Sequence, residues 1–186
     1  MAIANYSKVC GKNIPGNRFE LYITEIANVT SVTETSNEVS AITATAGAFK
    51  KVKAEIDSVQ YTSDGTFTTA GAETQNLIMG FGTRSTELEI FLQSLKDNVP
   101  CGLAAIWVDG NAKAWLAGVS IASKDGVFRP FNSLTTNFDS GLLPTDTGAA
   151  KYTITLSRLA AYAPVELDPT LTTGVLSGSS AFISWT

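Results

Sequence analysis

The sequence predicts a mainly β protein: a two-sheet sandwich with one flanking α-helix and a long projecting β-hairpin. Residues 1–162 read as a single β-sandwich domain and residues 163–186 as a C-terminal tail. Three observations predict this class. Ser and Thr together number 40 of 186 residues, and Thr alone 23; Thr is β-branched and suits a half-buried pleated surface. Apolar and polar residues alternate over several short runs, the period of a strand. Only one stretch carries helical spacing, and 15 glycines punctuate the rest.

Residues 19–26 read as a strand, with Phe19, Leu21 and Ile23 on one face and Tyr22 and Ile26 on the other. Residues 28–44 are Ser/Thr-rich and read as a loop with one weak strand over 38–43. In residues 49–61 Val52, Ala54 and Ile56 share a face, then the phase flips to Val59 and Tyr61. A β-bulge near Asp57 and Ser58 produces such a flip. Ser63-Asp64-Gly65 is a turn, and residues 75–82 return as a strand. Residues 49–82 therefore read as one long hairpin with a polar tip over 66–73.

Residues 85–98 form the helix. Leu88, Phe91, Leu92 and Leu95 stand at i, i+3, i+4 and i+7. Thr86 reads as N-cap with Glu89 reaching back, Glu87 and Lys96 suit the helix dipole, and Pro100 stops the helix. Residues 102–108 and 112–121 read as strands joined by Asp109-Gly110-Asn111, a hairpin signal. Residues 133–150 read as a loop, and residues 151–157 as a last strand. The tail holds Pro164 and Pro169 and ends near Phe182 and Trp185. An apolar tail end needs a seat, either on its own domain or on a neighbouring subunit.

Charge and composition narrow the function. Lys plus Arg is 13 and Asp plus Glu 17, for a net charge of −4. Histidine is absent, so Ser-His-Asp, Cys-His and most zinc chemistries are excluded. Gly80-Phe81-Gly82 lacks the rest of a nucleotide-binding fingerprint, and Asp109-Gly110-Asn111 lacks the spacing of a calcium loop. Glu87 and Glu89 point to different helix faces, and the serine of Asp139-Ser140-Gly141 has no base. No catalytic, cofactor-binding or metal-binding residue is predicted, and an enzyme is not expected. Cys10 and Cys101 form no CxxC; two buried free thiols are expected, with an extracellular disulfide as the alternative. No secretory leader is read at the start. No run approaches the ~20 apolar residues of a membrane helix, so no membrane insertion is expected.

Four acids and no base fall between Phe19 and Phe49, and four more acids (Glu55, Asp57, Asp64, Glu73) with no base between Ala54 and Thr83. These are either solvated acidic faces or a surface that repels a polyanion. The polar hairpin tip (Thr66, Phe67, Thr68) and the tail residues Phe182 and Trp185 are the candidate inter-subunit contacts.

The arrangement resembles the major tail-tube proteins of long-tailed bacteriophages and the inner tubes of related injection machines. Those subunits are a small β-sandwich with one helix and a long hairpin, matched here by residues 86–97 and 49–82. The segments at 108–119, 129–132, 138–141 and 152–156 resemble the C-terminal half of virion proteins from phages of Bacteroidetes-type hosts. The resemblance implies a structural virion protein assembled in the bacterial cytoplasm. Six copies would form a ring, rings would stack into a tube, and the sheets would close into an oligomeric β-barrel. DNA would pass through without sequence-specific binding, along a lumen lined by Glu55, Asp57 and Glu73. Tape-measure, tail-terminator and sheath proteins are the implied partners, and no cofactor is implied. One alternative is another structural virion part, such as a tail terminator, head-completion ring or capsid decoration protein. A second is a secreted β-sandwich adhesin or carbohydrate-binding module using Trp107 or Trp115 as a sugar platform.

Overall fold

A computed structural model describes residues 17–55, 58–64, 72–82, 85–124, 126–139, 151–177 and 184–185. The elements begin with β1 (Asn17–Glu25), β2 (Val29–Thr35), β3 (Glu38–Ala44), β4 (Lys50–Lys53), β5 (Gln60–Asp64) and β6 (Glu73–Phe81). Helix α1 (Thr86–Asn98) follows, then β7 (Leu103–Asp109), β8 (Ala114–Ala117), β9 (Ser133–Asp139) and β10 (Lys151–Ala160). The chain ends in β11 (Val165–Glu166), α2 (Pro169–Leu176) and the two-residue β12 (Ser184–Trp185).

The protein is mainly β, with three sheets rather than the two expected. A five-stranded antiparallel sheet has the order β11-β8-β7-β1-β4. A four-stranded antiparallel sheet has the order β5-β6-β10-β9. The third is the antiparallel β2–β3 ribbon, on whose edge β12 lies parallel to β3. Among the described residues no sheet closes into a barrel.

The five-stranded sheet is the middle layer, and β7 explains why. Its Leu-Ala-Ala-Ile-Trp-Val run is buried throughout, the near-continuous apolar pattern of a strand covered on both faces. Leu103, Ala105 and Trp107 share one core cluster with Leu21 and Ile23 of β1, Leu77 and Met79 of β6, Ile154 and Leu156 of β10, and Leu88, Leu92 and Leu95 of α1. Ala104, Ile106 and Val108 point the other way, into a second cluster with Val39 and Ile42 of β3 and Leu171 and Val175 of α2.

Several expectations change for identifiable reasons. Residues 49–82 are not one hairpin. β4 pairs with β1 in the five-stranded sheet, while β5 pairs with β6 in the four-stranded one. The phase flip after Ala54 thus marks a crossing between sheets, not a bulge within a strand. Residues 28–44 are a true hairpin, because Ser36 (φ 57°) and Asn37 (φ 68°) both adopt the left-handed conformation of a type I′ turn. Residues 133–139 are strand β9, paired along its whole length with β10.

The helix cap is Ser85, not Thr86: Ser85 Oγ accepts from Leu88 N at 3.2 Å. The second strand of the β7–β8 hairpin is shorter than the expected 112–121. Its loop has three residues, with Ala112 N–H donating to Asp109 O (3.1 Å) and Asp109 N–H to Lys113 O (2.9 Å). A second helix, α2, forms in the segment read as a tail. Asp168 caps it through Leu171 N (2.8 Å) and Pro169 opens it. Cys101 is an exposed free thiol rather than a buried one, and Cys10 lies outside the described residues.

Candidate functional site

The four-stranded sheet spends one face on the core and keeps the other for solvent. In β6, Gln75, Leu77 and Met79 are buried; in β10, Ile154, Leu156, Arg158 and Ala160 are. The alternating positions form the opposite face. It holds Gln60, Thr62 and Asp64 of β5 in register with Ile78, Asn76 and Thr74 of β6. Next come Thr153, Thr155 and Ser157 of β10, in register with Asn137, Thr135 and Ser133 of β9. Leu159, also on this face, is 58% exposed.

This face is hydroxyl- and amide-rich, and its side chains interlock. Ser157 Oγ donates to Asn76 Oδ1 (2.7 Å), and Asn76 Nδ2 reaches Thr62 Oγ1 (3.5 Å), so one polar row crosses three strands. Charge is confined to its margins: Asp64 ends β5, and Asp139 stands opposite Lys151 in register. The edge strands β5 and β9 have neighbours on one side only among the described residues. Such edges present backbone donors and acceptors that template pairing with another chain.

Behind the sheet lies a buried arginine. The apolar phase of β10 (Ile154, Leu156) passes through Arg158, which is only 2% exposed. Its Nε donates to Gln75 Oε1 (2.8 Å) and its Nη1 to Arg129 O (3.2 Å). The guanidinium lies over the rings of Phe131 (5.6 Å) and Tyr162 (5.8 Å). Gln75 in turn donates from Nε2 to Tyr162 O (2.9 Å). Burial pulls the Arg158 pKa below its ordinary value, partly offset by Tyr61 and Tyr162. Burial likewise raises the Tyr61 phenol above its ordinary 10.0, against the lowering pull of Arg158. The group locks β6, β10 and the segments at Arg129 and Tyr162 together.

An aromatic cleft of about 320 Å³ opens beside this cluster, lined by Tyr61, Trp107, Asp109, Trp115, Ala163 and Pro164. Trp107 is 2% exposed and stacks on Tyr61 with centroids 5.0 Å apart, so it cannot serve as a sugar platform. Trp115 is half-buried, and its Nε1 donates to Asp109 Oδ2 (3.0 Å). Asp109 Oδ1 accepts from Asn111 N and Lys113 N, both at 2.9 Å. Asp109, the one charged group that lines the cleft among the described residues, is therefore engaged by three donors.

The residues named from sequence fall in different places. Glu55 follows β4, and its Oε1 accepts from Gly82 N–H (3.1 Å). Glu73 opens β6 and accepts from Ser63 Oγ. Because Gly82 follows β6 and Glu73 begins it, the two carboxylates sit at opposite ends of that strand, about 25–30 Å apart at ~3.3 Å per residue. Glu73 shares the parity of buried Gln75, not of the free face. Asp57, Thr66, Phe67, Thr68 and Phe182 lie outside the described residues. Trp185 is brought by its backbone to Ala44 of the chain's own β3. Sequence reasoning missed Arg158 and the free face, although the phase of β10 carries a signal for both.

Among the described residues no three His, Cys, Asp or Glu side chains gather as a metal site, and no helix is long and apolar enough to cross a membrane. No protein-family model, no curated protein and no solved structure matches the chain.

Proposed function

We propose that the chain is a structural virion protein that assembles into the tail tube of a long-tailed bacteriophage, through rings of six that stack. The observation that carries this reading is the four-stranded sheet, with one face on the core, a polar face on solvent and, among the described residues, no further strand on either edge. Edge-to-edge pairing of copies through β5 and β9 would join such sheets into an oligomeric β-barrel whose inner wall is the free face. A wall of Thr, Ser and Asn, with Asp64, Asp139 and Lys151 only at its margins, suits the passage of DNA. It offers no lysine row to hold phosphates, and each such contact would add salt-dependent affinity.

The test is electron microscopy of the purified chain. Stacked rings with an open channel are expected, and a monodisperse monomer at high concentration overturns the reading. Isolated single rings would instead indicate a terminator or head-completion part. A Thr155→Lys, Asn76→Lys variant sharpens the lumen assignment: tubes should still form, while DNA delivery falls. Unchanged delivery would remove the free face from the channel.

A further inference from the structure

We propose that Phe138 enters the aromatic cleft of a second copy, so that β9 of one chain pairs antiparallel with β5 of the next and Phe138 faces the second copy's Tyr61. This rests on the edge-to-edge reading above and adds the direction, the register and the anchoring side chain of the contact.

Ring and cleft stand on the same side of one sheet, at its opposite edges. Phe138 lies opposite Tyr152 in the β9–β10 register, and Tyr152 shares the parity of buried Ile154 and Leu156. Phe138 therefore points to the core side of the sheet. Its ring packs on Tyr152 with centroids 5.6 Å apart, yet it stays 42% exposed. Little of the core reaches under β9, of which only Leu134 is even partly buried. At the other edge Tyr61 stands opposite buried Leu77, so it too is on the core side. There it lines the cleft of about 320 Å³ together with Trp115 and Pro164. A dry apolar cavity of ~150 Å³ already holds a benzene ring. Asp109 at this cleft keeps its three donors, and an apolar ring asks for no hydrogen bond in return.

The strand direction follows from counting. Neighbours in this sheet are all antiparallel, so β5 and β9, the first and last of four, run in opposite directions. In a cyclic ring every copy has the same orientation to the axis, and one copy's β9 meets the next copy's β5 antiparallel. This arrangement also separates the acids. Asp64 at the end of β5 and Asp139 at the end of β9 come to opposite ends of the contact. Parallel pairing would bring these carboxylates together, and like charges facing each other are destabilising.

Two antiparallel registers cover all of β5 and keep both polar faces on one side. In the first, Asn137 faces Thr62 and Phe138 faces Tyr61. In the second, slipped by two residues, Asn137 faces Gln60 and Thr136 faces Tyr61. Only the first places the exposed ring against an aromatic wall, and cross-strand aromatic pairs stabilise a sheet.

Disulfide mapping in the full chain tests the register, with Cys10 and Cys101 replaced by Ser. Asn137→Cys with Thr62→Cys should yield covalent multimers when the assembled protein is mildly oxidised, and Asn137→Cys with Gln60→Cys should react far more slowly. The reverse preference overturns the proposal and leaves edge pairing in place. Assemblies in which neither pair cross-links overturn the proposal and the edge-to-edge reading together, as does a chain that never assembles. Phe138→Ala tests the anchor. It should raise the concentration needed for assembly by about tenfold or more, the effect of losing a buried aromatic anchor. It should also remove the protection of Trp115 from hydroxyl radicals that assembly brings. An unchanged threshold with Trp115 still protected overturns the proposal and leaves the tube reading standing. If the variant loses its own melting transition, the disulfide mapping, done with Phe138 intact, decides.

Discussion

The two faces of the central sheet are closed by different means. On the face of Leu103, Ala105 and Trp107, a second sheet and α1 pack on large side chains, and a polar group, Arg158 with Gln75, is buried among them. On the face of Ala104, Ile106 and Val108, the cover is a ribbon plus the late segment from Val165 to Val175. The first face combines burial with directional hydrogen bonds, which fix how the sheets are oriented. The second rests on apolar area supplied by the β2–β3 ribbon and by residues near the end of the chain. Hydrophobic burial is non-directional, so the second face should be the easier to peel and the first the harder to repack.

The largest expected effect comes from removing the cover of the second face. Val165, Leu167, Leu171 and Val175 are each at most 7% exposed. Burying a side chain of this kind contributes about 1.5–3 kcal/mol, so the four together reach about 6–12 kcal/mol, comparable with the 5–15 kcal/mol stability of a whole domain. A chain stopped after Pro164 should therefore lose its cooperative melting transition and bind a hydrophobic dye. If residues 165–186 were a mere appendage, calorimetry would show an unchanged transition.

The first face is sharpened by its arginine. Arg158→Ala removes the hydrogen bonds to Gln75 Oε1 and Arg129 O and opens a void, at an expected cost of about 3–4 kcal/mol. Urea titration measures it. The double variant Arg158→Met, Gln75→Leu removes both halves of the polar pair and should recover at least half of that loss, because apolar groups of similar volume often replace a buried charge without penalty. A double variant as unstable as Arg158→Ala would show that the arginine acts through the aromatic rings of Phe131 and Tyr162 rather than through Gln75.

The same contrast explains what the sequence made legible. β7 was readable because both its faces are apolar, and α1 because its face repeats at Leu88, Leu92 and Leu95. The crossing between Ala54 and Val59 was read as a bulge, since a phase flip looks alike whether the strand kinks or changes sheet. β9 was missed because its pattern is polar on nearly every position; its strand character comes from pairing with β10, which no local pattern reports. The signal for α2 was present: Asp168 and Pro169 mark a helix start, and Leu171 and Val175 lie four apart. An eight-residue helix is too short to show a helical period, and it derives its stability from the sheet beneath it. The free face lies between these cases. Alternation in β10 placed Thr153 and Thr155 together, but their union with Thr135, Asn76 and Thr62 depends on register.

The smallest effect tests whether the β7–β8 edge is tuned for stability. Ala112 sits at φ +62°, as the third residue of a loop in which Asp109 Oδ1 gathers the N–H groups of Asn111 and Lys113. A left-handed conformation costs an L-residue with a Cβ about 1–2 kcal/mol, whereas glycine adopts it without steric penalty but loses more chain entropy on folding. Ala112→Gly should therefore stabilise the protein by about 0.5–1 kcal/mol net of that entropy, read as a rise in the urea midpoint at constant slope. Because the loop joins β7, whose side chains enter both clusters, the gain should carry over unchanged into the Arg158→Met, Gln75→Leu background. A gain that disappears there would mean that the turn and the buried arginine are energetically coupled through Trp107 and Tyr61, and that the two faces are not closed independently.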